Sequence, residues 1–316
     1  MIKVLITDDC HPVLIEGLAG IGFAVDFLPH LSLDEIDDIL PGYHGIIVNT
    51  RVKMNRERIS RGANLRFIGR MGSGLDIIDL SYAAERGVKV ISSPEGNAPA
   101  VGEHSLAMLL SLLNKLPLGA RQVRDLAWDR EAARGRQLSG RVLGIIGYGH
   151  TGPAFARVLS GFEVTVKVFD KYKEVTAEQK CLASIVPATF EEVIGTCDII
   201  SFNLPLTDET AFLIDESLIK KMKTGVVLIN AARGRIADLN AIIQGLNSGQ
   251  IGGVCLDVYP NEKTTTYTVE ETEQMRILSG HPNVILTPHV AGWTYESKEL
   301  IARILVAKIK ENILSN

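Results

Sequence analysis

Val142-Leu143-Gly144-Ile145-Ile146-Gly147-Tyr148-Gly149-His150-Thr151-Gly152 is an apolar run that feeds straight into G-x-G-x-x-G, and Asp170 follows eighteen residues after the last glycine. A second apolar run, residues 164–169, ends in that acid. Each glycine has a separate task. Gly147 allows a tight turn out of a strand, Gly149 lets the backbone approach a pyrophosphate, and Gly152 lets the following helix pack against the strand. The pyrophosphate is expected on the amides of His150 and Thr151, at the positive end of that helix. Asp170 is expected to accept hydrogen bonds from the adenosine ribose. It also repels a 2′-phosphate, which favours NAD over NADP. A lone G-x-G-x-x-G is weak evidence, but strand, turn, helix, strand and terminal acid form one dinucleotide-binding unit.

Bulk properties exclude several classes. The chain has 316 residues, enough for two domains, and is 46% hydrophobic, enough to build a sizeable core. A net charge of −4 implies no strong attraction to nucleic acid or to a membrane surface. The longest apolar stretches, such as residues 107–113, are too short to span a bilayer. The start, Met1-Ile2-Lys3-Val4-Leu5-Ile6, reads as a strand and not as a signal peptide. Cys10, Cys181, Cys197 and Cys255 are scattered singly, so reduced, buried thiols in a cytoplasmic protein are expected, with no metal site.

Outward from the glycine turn, strand-like and helix-like segments alternate along the whole chain. Strands are expected at residues 3–7, 24–27, 45–48, 65–68 and 89–91, and again at 142–146, 164–169, 199–202, 225–228, 253–256 and 284–286. This alternation predicts two doubly wound α/β units. Residues 99–116 read as one long buried helix joining them, and residues 295–314 as a closing amphipathic helix. The Arg-rich segment 119–140, with Trp128, fits neither strand nor tight loop. Either an arm packed on another subunit or a solvated loop accounts for it.

Three chemically distinct groups stand after the late strands: Arg233 in Asn230-Ala231-Ala232-Arg233-Gly234, Glu262 after Asp257, and His289 after Thr287-Pro288. In open parallel sheets ligands bind at the carboxyl ends of strands, so these groups converge on one crevice. Interconversion of a carbinol and a carbonyl by hydride transfer needs a proton carrier, and imidazole titrates near working pH. His289 takes that role. Glu262 is placed to hold the other ring nitrogen and raise its pKa, and Arg233 to grip a carboxylate. Asp257 is expected beside the nicotinamide, accepting from its carboxamide. His11, His30, His44, His104, His150 and His281 have no comparable setting in the sequence.

These blocks resemble the D-isomer-specific 2-hydroxyacid dehydrogenase family, which includes phosphoglycerate dehydrogenases. The resemblance runs through Arg70-Met71-Gly72-Ser73-Gly74-Leu75-Asp76, Asn97 with Val101-Gly102-Glu103, the glycine turn, Leu204-Pro205-Leu206-Thr207-Asp208-Glu209-Thr210, residues 230–234, residues 257–262 and Pro288-His289. It covers nearly the whole chain. It implies a Rossmann NAD-binding domain (residues 98–289) inserted into a discontinuous, flavodoxin-like substrate domain (residues 1–97 plus 290–316). Arg233, Glu262 and His289 are then the catalytic residues. The substrate carboxylate is held near Ser73 and Gly74 with help from Arg233. The cofactor meets Gly147, Tyr148, Gly149, His150, Thr151, Gly152, Asp170, Leu204, Pro205, Thr210, Ala231, Ala232, Asp257 and Gly292.

The resemblance further implies hinge closure that excludes water and a homodimer through the NAD-binding domain. The expected substrate is a small D-2-hydroxy or 2-keto acid. An alternative is an NAD-sensing, corepressor-like scaffold for protein partners. Several departures bear on specificity. His150-Thr151 replaces the usual Arg-Ile, and Ile77 follows Asp76. Asn49 stands where the phosphoglycerate branch carries Arg, although Arg51, two residues on, faces the same way in an extended strand and is a second candidate for a substrate phosphate. Residues 263–275 form a Thr- and Glu-rich insert expected in solvent. No regulatory module is expected after the last helix.

Overall fold

The computed structural model describes residues 1–175 and 185–314; the expected thiol at Cys181 lies outside them. The chain divides into two compact units, one of residues 1–98 with 293–316 and the other of residues 99–292.

The smaller unit holds a five-stranded parallel sheet. Its strands are β1 (Lys3–Ile6), β2 (Ala24–Phe27), β3 (Gly45–Val48), β4 (Phe67–Arg70) and β5 (Lys89–Ser92), in the order β2-β1-β3-β4-β5. That order matches flavodoxin-like doubly wound sheets, in which the topological switch falls between β1 and β3. All four residues of β3 and of β4 are buried. Strands of a parallel sheet covered on both faces read as continuous apolar runs, which is how they showed in the sequence. The expected 65–68 strand is shifted to Phe67–Arg70 because Arg70 belongs to the sheet. Its buried guanidinium is satisfied by Asn49 Oδ1 (2.8 Å), Gly74 O (3.0 Å) and Met71 O. The C-terminal helix, Tyr295–Leu314, buries Ala302, Leu305, Ile309 and Ile313 against this unit's core.

The larger unit holds a seven-stranded parallel sheet. Its strands are β6 (Val142–Ile146), β7 (Thr165–Phe169), β8 (Ile185–Pro187), β9 (Ile199–Phe202), β10 (Val226–Asn230), β11 (Ile251–Leu256) and β12 (Val284–Leu286). The order β12-β11-β10-β9-β6-β7-β8 is the Rossmann arrangement with its switch point between β6 and β9. Edge strand β8 was not expected. It has three residues, one of them buried and one a proline, so it carries almost no apolar signal. β10 continues to Asn230, past the expected end at Leu228.

The expected helix over 99–116 is two helices. The first spans Ala98–Leu113. Lys115 then takes a left-handed conformation (φ 50°), and a second helix spans Leu116–Arg124 with Pro117 in its first turn. Part of the 119–140 segment is therefore helical. No residue of Leu116–Arg124 is buried, which leaves no core stripe to read. The 263–275 insert is likewise mostly helix. Thr268 and Glu271 form a reciprocal cap for Val269–Gly280, and most of the insert's residues are exposed.

Among the described residues no helix is long and apolar enough to cross a membrane. Cys10, Cys197 and Cys255 are free and buried. Burial pushes the thiols of Cys10 and Cys197 up to about 11, so neither is a ready nucleophile.

Candidate active site

The glycine turn has the form the spacing predicts. Gly147 sits at φ +90°, and a Cβ there would lie 2.3 Å from Asn203 O, so only glycine fits. A Cβ on Gly152 would lie 2.4 Å from Gly147 O, which is the close packing of helix on strand. A Cβ on Gly149 would meet nothing within 4 Å, so that residue borders open space. The helix Thr151–Val158 starts there, and His150 makes no capping hydrogen bond through its side chain. The His150 side chain is exposed.

Asp170 ends β7. Its Oδ2 accepts from the Tyr148 amide at 2.6 Å, and its Oδ1 from the amides of Tyr172 (2.8 Å) and Lys173 (3.0 Å). A carboxylate offers about four acceptor positions, so the carboxylate is fixed in direction with capacity left for a ribose hydroxyl. Tyr148 departs from expectation. Its side chain is buried in the core with Phe155 and Met108, so it serves the turn through its backbone alone. These residues fit a dinucleotide: a glycine cradle open in front, a helix start, and an oriented acid. On the far side of the switch point, Thr210 Oγ1 accepts from the Thr207 amide (2.8 Å) and donates to Pro205 O (2.6 Å), which holds the 204–210 loop in shape.

Three strand ends carry the polar chemistry. At the end of β10, buried Asn230 clamps its own turn. Its Nδ2 donates to Arg233 O (3.0 Å) and its Oδ1 accepts from the Ala232 amide (3.1 Å). Arg233 is half-buried, with Nη1 donating to Ala232 O at 2.6 Å. Past the end of β11, Glu262 Oε1 accepts from the Tyr259 amide (3.3 Å). Its Oε2 lies 2.8 Å from His289 Nδ1. His289 follows β12 and takes φ +55°, a left-handed conformation that costs an L-residue about 1–3 kcal/mol and persists only where surrounding contacts impose it.

Electrostatics set the two partners in opposite senses. The hydrogen bond to Glu262 holds the His289 imidazole above its ordinary pKa, with further help from the Glu262 and Asp257 charges and against burial and Arg233. Burial alone would raise Glu262. The hydrogen bond and charge of His289, the Tyr259 amide and Arg233 together outweigh it and hold the carboxyl below its usual range. With Nδ1 given to Glu262, Nε2 is the ring atom left to exchange a proton with a ligand.

Asp257 is fully buried, and both its oxygens are engaged. Oδ1 accepts from Thr287 Oγ1 (2.6 Å) and the Val290 amide (2.9 Å), and Oδ2 from the Ala291 amide (2.8 Å). The observed task of this carboxylate is to hold the backbone just after His289. His104 was passed over in the sequence, yet it reaches this carboxylate through Thr287. Contacts between residues 183 positions apart leave no local signal.

In the smaller unit, Asn49 accepts from Arg70 Nη1 and its amide donates to Asp8 Oδ2 (3.2 Å). Ser73 Oγ donates to Asn97 Oδ1 (2.9 Å), and Gly74 O accepts from Arg70. Arg51 is tied down: Nη1 donates to Leu31 O (2.7 Å) and Nη2 to Thr7 O, with Nε 3.8 Å from Asp8.

Residues 106–291 match the family model described as D-isomer specific 2-hydroxyacid dehydrogenase, NAD binding domain. The chain is 34% identical over 316 residues to a D-3-phosphoglycerate dehydrogenase of Bacillus subtilis, covering 99% of this chain and 57% of that protein. It is 31% identical over 280 residues to a hydroxypyruvate reductase of Thermotoga maritima, covering 89% and 88% respectively. The chain thus spans little more than half the length of the phosphoglycerate dehydrogenases it matches. A structure of a D-lactate dehydrogenase from Aquifex aeolicus, complexed with NAD and lactic acid, superposes with a TM-score of 0.84 at 27% identity, covering 99% of this chain and 96% of that one.

Proposed function

The chain belongs to the D-isomer specific 2-hydroxyacid dehydrogenase family, and from that premise we propose that it interconverts a small D-2-hydroxy acid and its 2-keto acid with NAD as cofactor. The observation that carries this is the 2.8 Å pair of His289 and Glu262, in the same unit as Arg233 and the glycine turn. The hydride for C2 would come from bound NADH. Arg233 binds the substrate carboxylate by charge-assisted hydrogen bonds. In reduction, imidazolium His289 gives the Nε2 proton to the carbonyl oxygen as that oxygen becomes a hydroxyl. In oxidation the neutral ring takes it back. Glu262 keeps Nδ1 protonated in both directions, fixing the tautomer and stabilising the charged form.

The cofactor would be held by the amides of Gly149, His150 and Thr151 and by Asp170, with the 204–210 loop, Ala231, Ala232 and Gly292 as further contacts. An unphosphorylated acid is placed ahead of D-3-phosphoglycerate. Asn49 is uncharged, and a phosphate reaching Arg51 would have to displace the Leu31 and Thr7 carbonyls.

Glu262→Gln tests the pair. Reduction requires the protonated ring, so its rate is full below the His289 pKa and falls as pH rises through it. Removing the carboxylate lowers that pKa. The falling limb of the kcat/KM profile for reduction is therefore expected at lower pH than in the parent, and the rising limb for oxidation moves the same way. Limbs at unchanged pH would contradict the assignment.

A homodimer is part of the same reading. Trp128 and Leu126, just past the surface helix Leu116–Arg124, are 81% and 95% exposed, which suits a contact with a second copy. Sedimentation is expected to give twice the chain mass, with Trp128→Glu shifting it to the single chain; a monomeric parent would contradict this. A cytoplasmic setting is supported by the free cysteines, and cell fractionation reads it.

A further inference from the structure

His104 is the seventh of the sixteen residues of the helix Ala98–Leu113. Its Nε2 is 3.0 Å from Thr287 Oγ1 and 3.6 Å from Asp257 Oδ1. The hydroxyl of Thr287 has one proton to give. Three acceptors are in reach, the Asp257 carboxylate at 2.6 Å, the His104 Nε2 at 3.0 Å in the tautomer that leaves it without a hydrogen, and Met108 Sδ at 3.5 Å. A buried carboxylate is the strongest acceptor of the three, since it is charged and nearest, and a thioether sulfur accepts only weakly. The proton therefore goes to Asp257, and Thr287 faces His104 with a lone pair. Nε2 of His104 must then carry a hydrogen. The order of donation runs from His104 to Thr287 to Asp257.

The same carboxylate receives the amides of Val290 and Ala291, the two residues directly after His289. His289 itself sits in the left-handed region at φ +55° and donates its amide to Thr287 O (3.1 Å). Residues 287–291 thus form a strained turn held from one side by a single carboxylate. The direction of the His289 ring toward Glu262 depends on that hold. Two side chains of the helix Ala98–Leu113 reach Thr287, His104 and Met108, and of these two only the imidazole can donate a hydrogen bond.

We propose that His104 is a positioning residue for His289. By donating through Thr287 to Asp257 it fixes the 287–291 turn and so the aim of the imidazole. It touches neither substrate nor the reacting atoms. The proposal rests on the reading of His289 as the proton carrier, and its test separates the two.

The test uses His104→Phe, which keeps a ring but has no donor, and His104→Gln, which restores an N–H. Each is measured for keto-acid reduction, for NADH affinity by fluorescence, and for titration of the His289 ring by NMR without cofactor. His104→Phe is expected to lower kcat about tenfold to a hundredfold, the cost of a small misplacement of a reacting group. KM and NADH affinity should stay near parent values, and the His289 pKa should fall toward that of an unpaired histidine. His104→Gln is expected to recover most of both. Parent-like kcat and His289 titration in His104→Phe would overturn the proposal. So would equal losses in both variants, which would mark a packing role. If the parent reduces no keto acid, the dehydrogenase reading fails, while the NMR titration still decides whether His104 holds His289.

Discussion

His289→Gln is expected to lower kcat/KM for keto-acid reduction by about 10² to 10⁴, the usual yield of a positioned general acid. That is about 2.7–5.4 kcal/mol of transition-state stabilisation at 1.36 kcal/mol per factor of ten. Glutamine can still hydrogen-bond Glu262 and needs the same left-handed backbone that Asp257 already imposes on the turn. What it loses is the proton at Nε2. NADH binding should be close to that of the parent, because the glycine turn and Asp170 are untouched. The pH dependence seen in the parent should flatten. Steady-state NADH oxidation with and without the substitution reads both effects. Undiminished turnover would remove His289 from the mechanism.

Gly234→Ala is expected to damage the site from underneath. A Cβ at Gly234 would lie 1.9 Å from Tyr259 C and 2.0 Å from Tyr259 O. Those are backbone atoms, so no rotamer change relieves the overlap. Either the turn carrying Arg233 or the loop carrying Glu262 must move. Overpacking of this kind costs about 1–3 kcal/mol in a well-packed interior. A displacement of about 1 Å of a catalytic group costs on the order of 10² in rate. Calorimetry should show a lower Tm, and turnover should fall by about that factor. Parent-like Tm and kcat would show that the two strand ends are not packed as described.

The dinucleotide turn was legible because each of its residues answers a steric or electrostatic need that few others meet. Gly147 needs a positive φ, Gly152 needs the absence of a Cβ, and Asp170 needs a charge at a strand end. The parallel strands were legible as unbroken apolar runs. Their ends were not, where a polar residue completes the sheet. Arg70 and Asn230 are buried strand residues whose partners lie on loops, and in sequence they look like the start of a turn. The kink at Lys115 was missed although Pro117 marks a new helix start, because the leucines on both sides kept the helical spacing. The triad residues were named from strand ends and chemistry. The network of His104, Thr287 and Asp257 was not, since it joins two strand ends to a helix far away in the chain.

NADH consumption by the parent chain with glyoxylate, pyruvate, hydroxypyruvate and 3-phosphohydroxypyruvate, followed by chiral resolution of the product, tests the central claim most directly. The expected result is turnover with at least one of these 2-keto acids and a product of D configuration. NADH that binds while none of the four is reduced would contradict it and leave the nucleotide site to an NAD-sensing role.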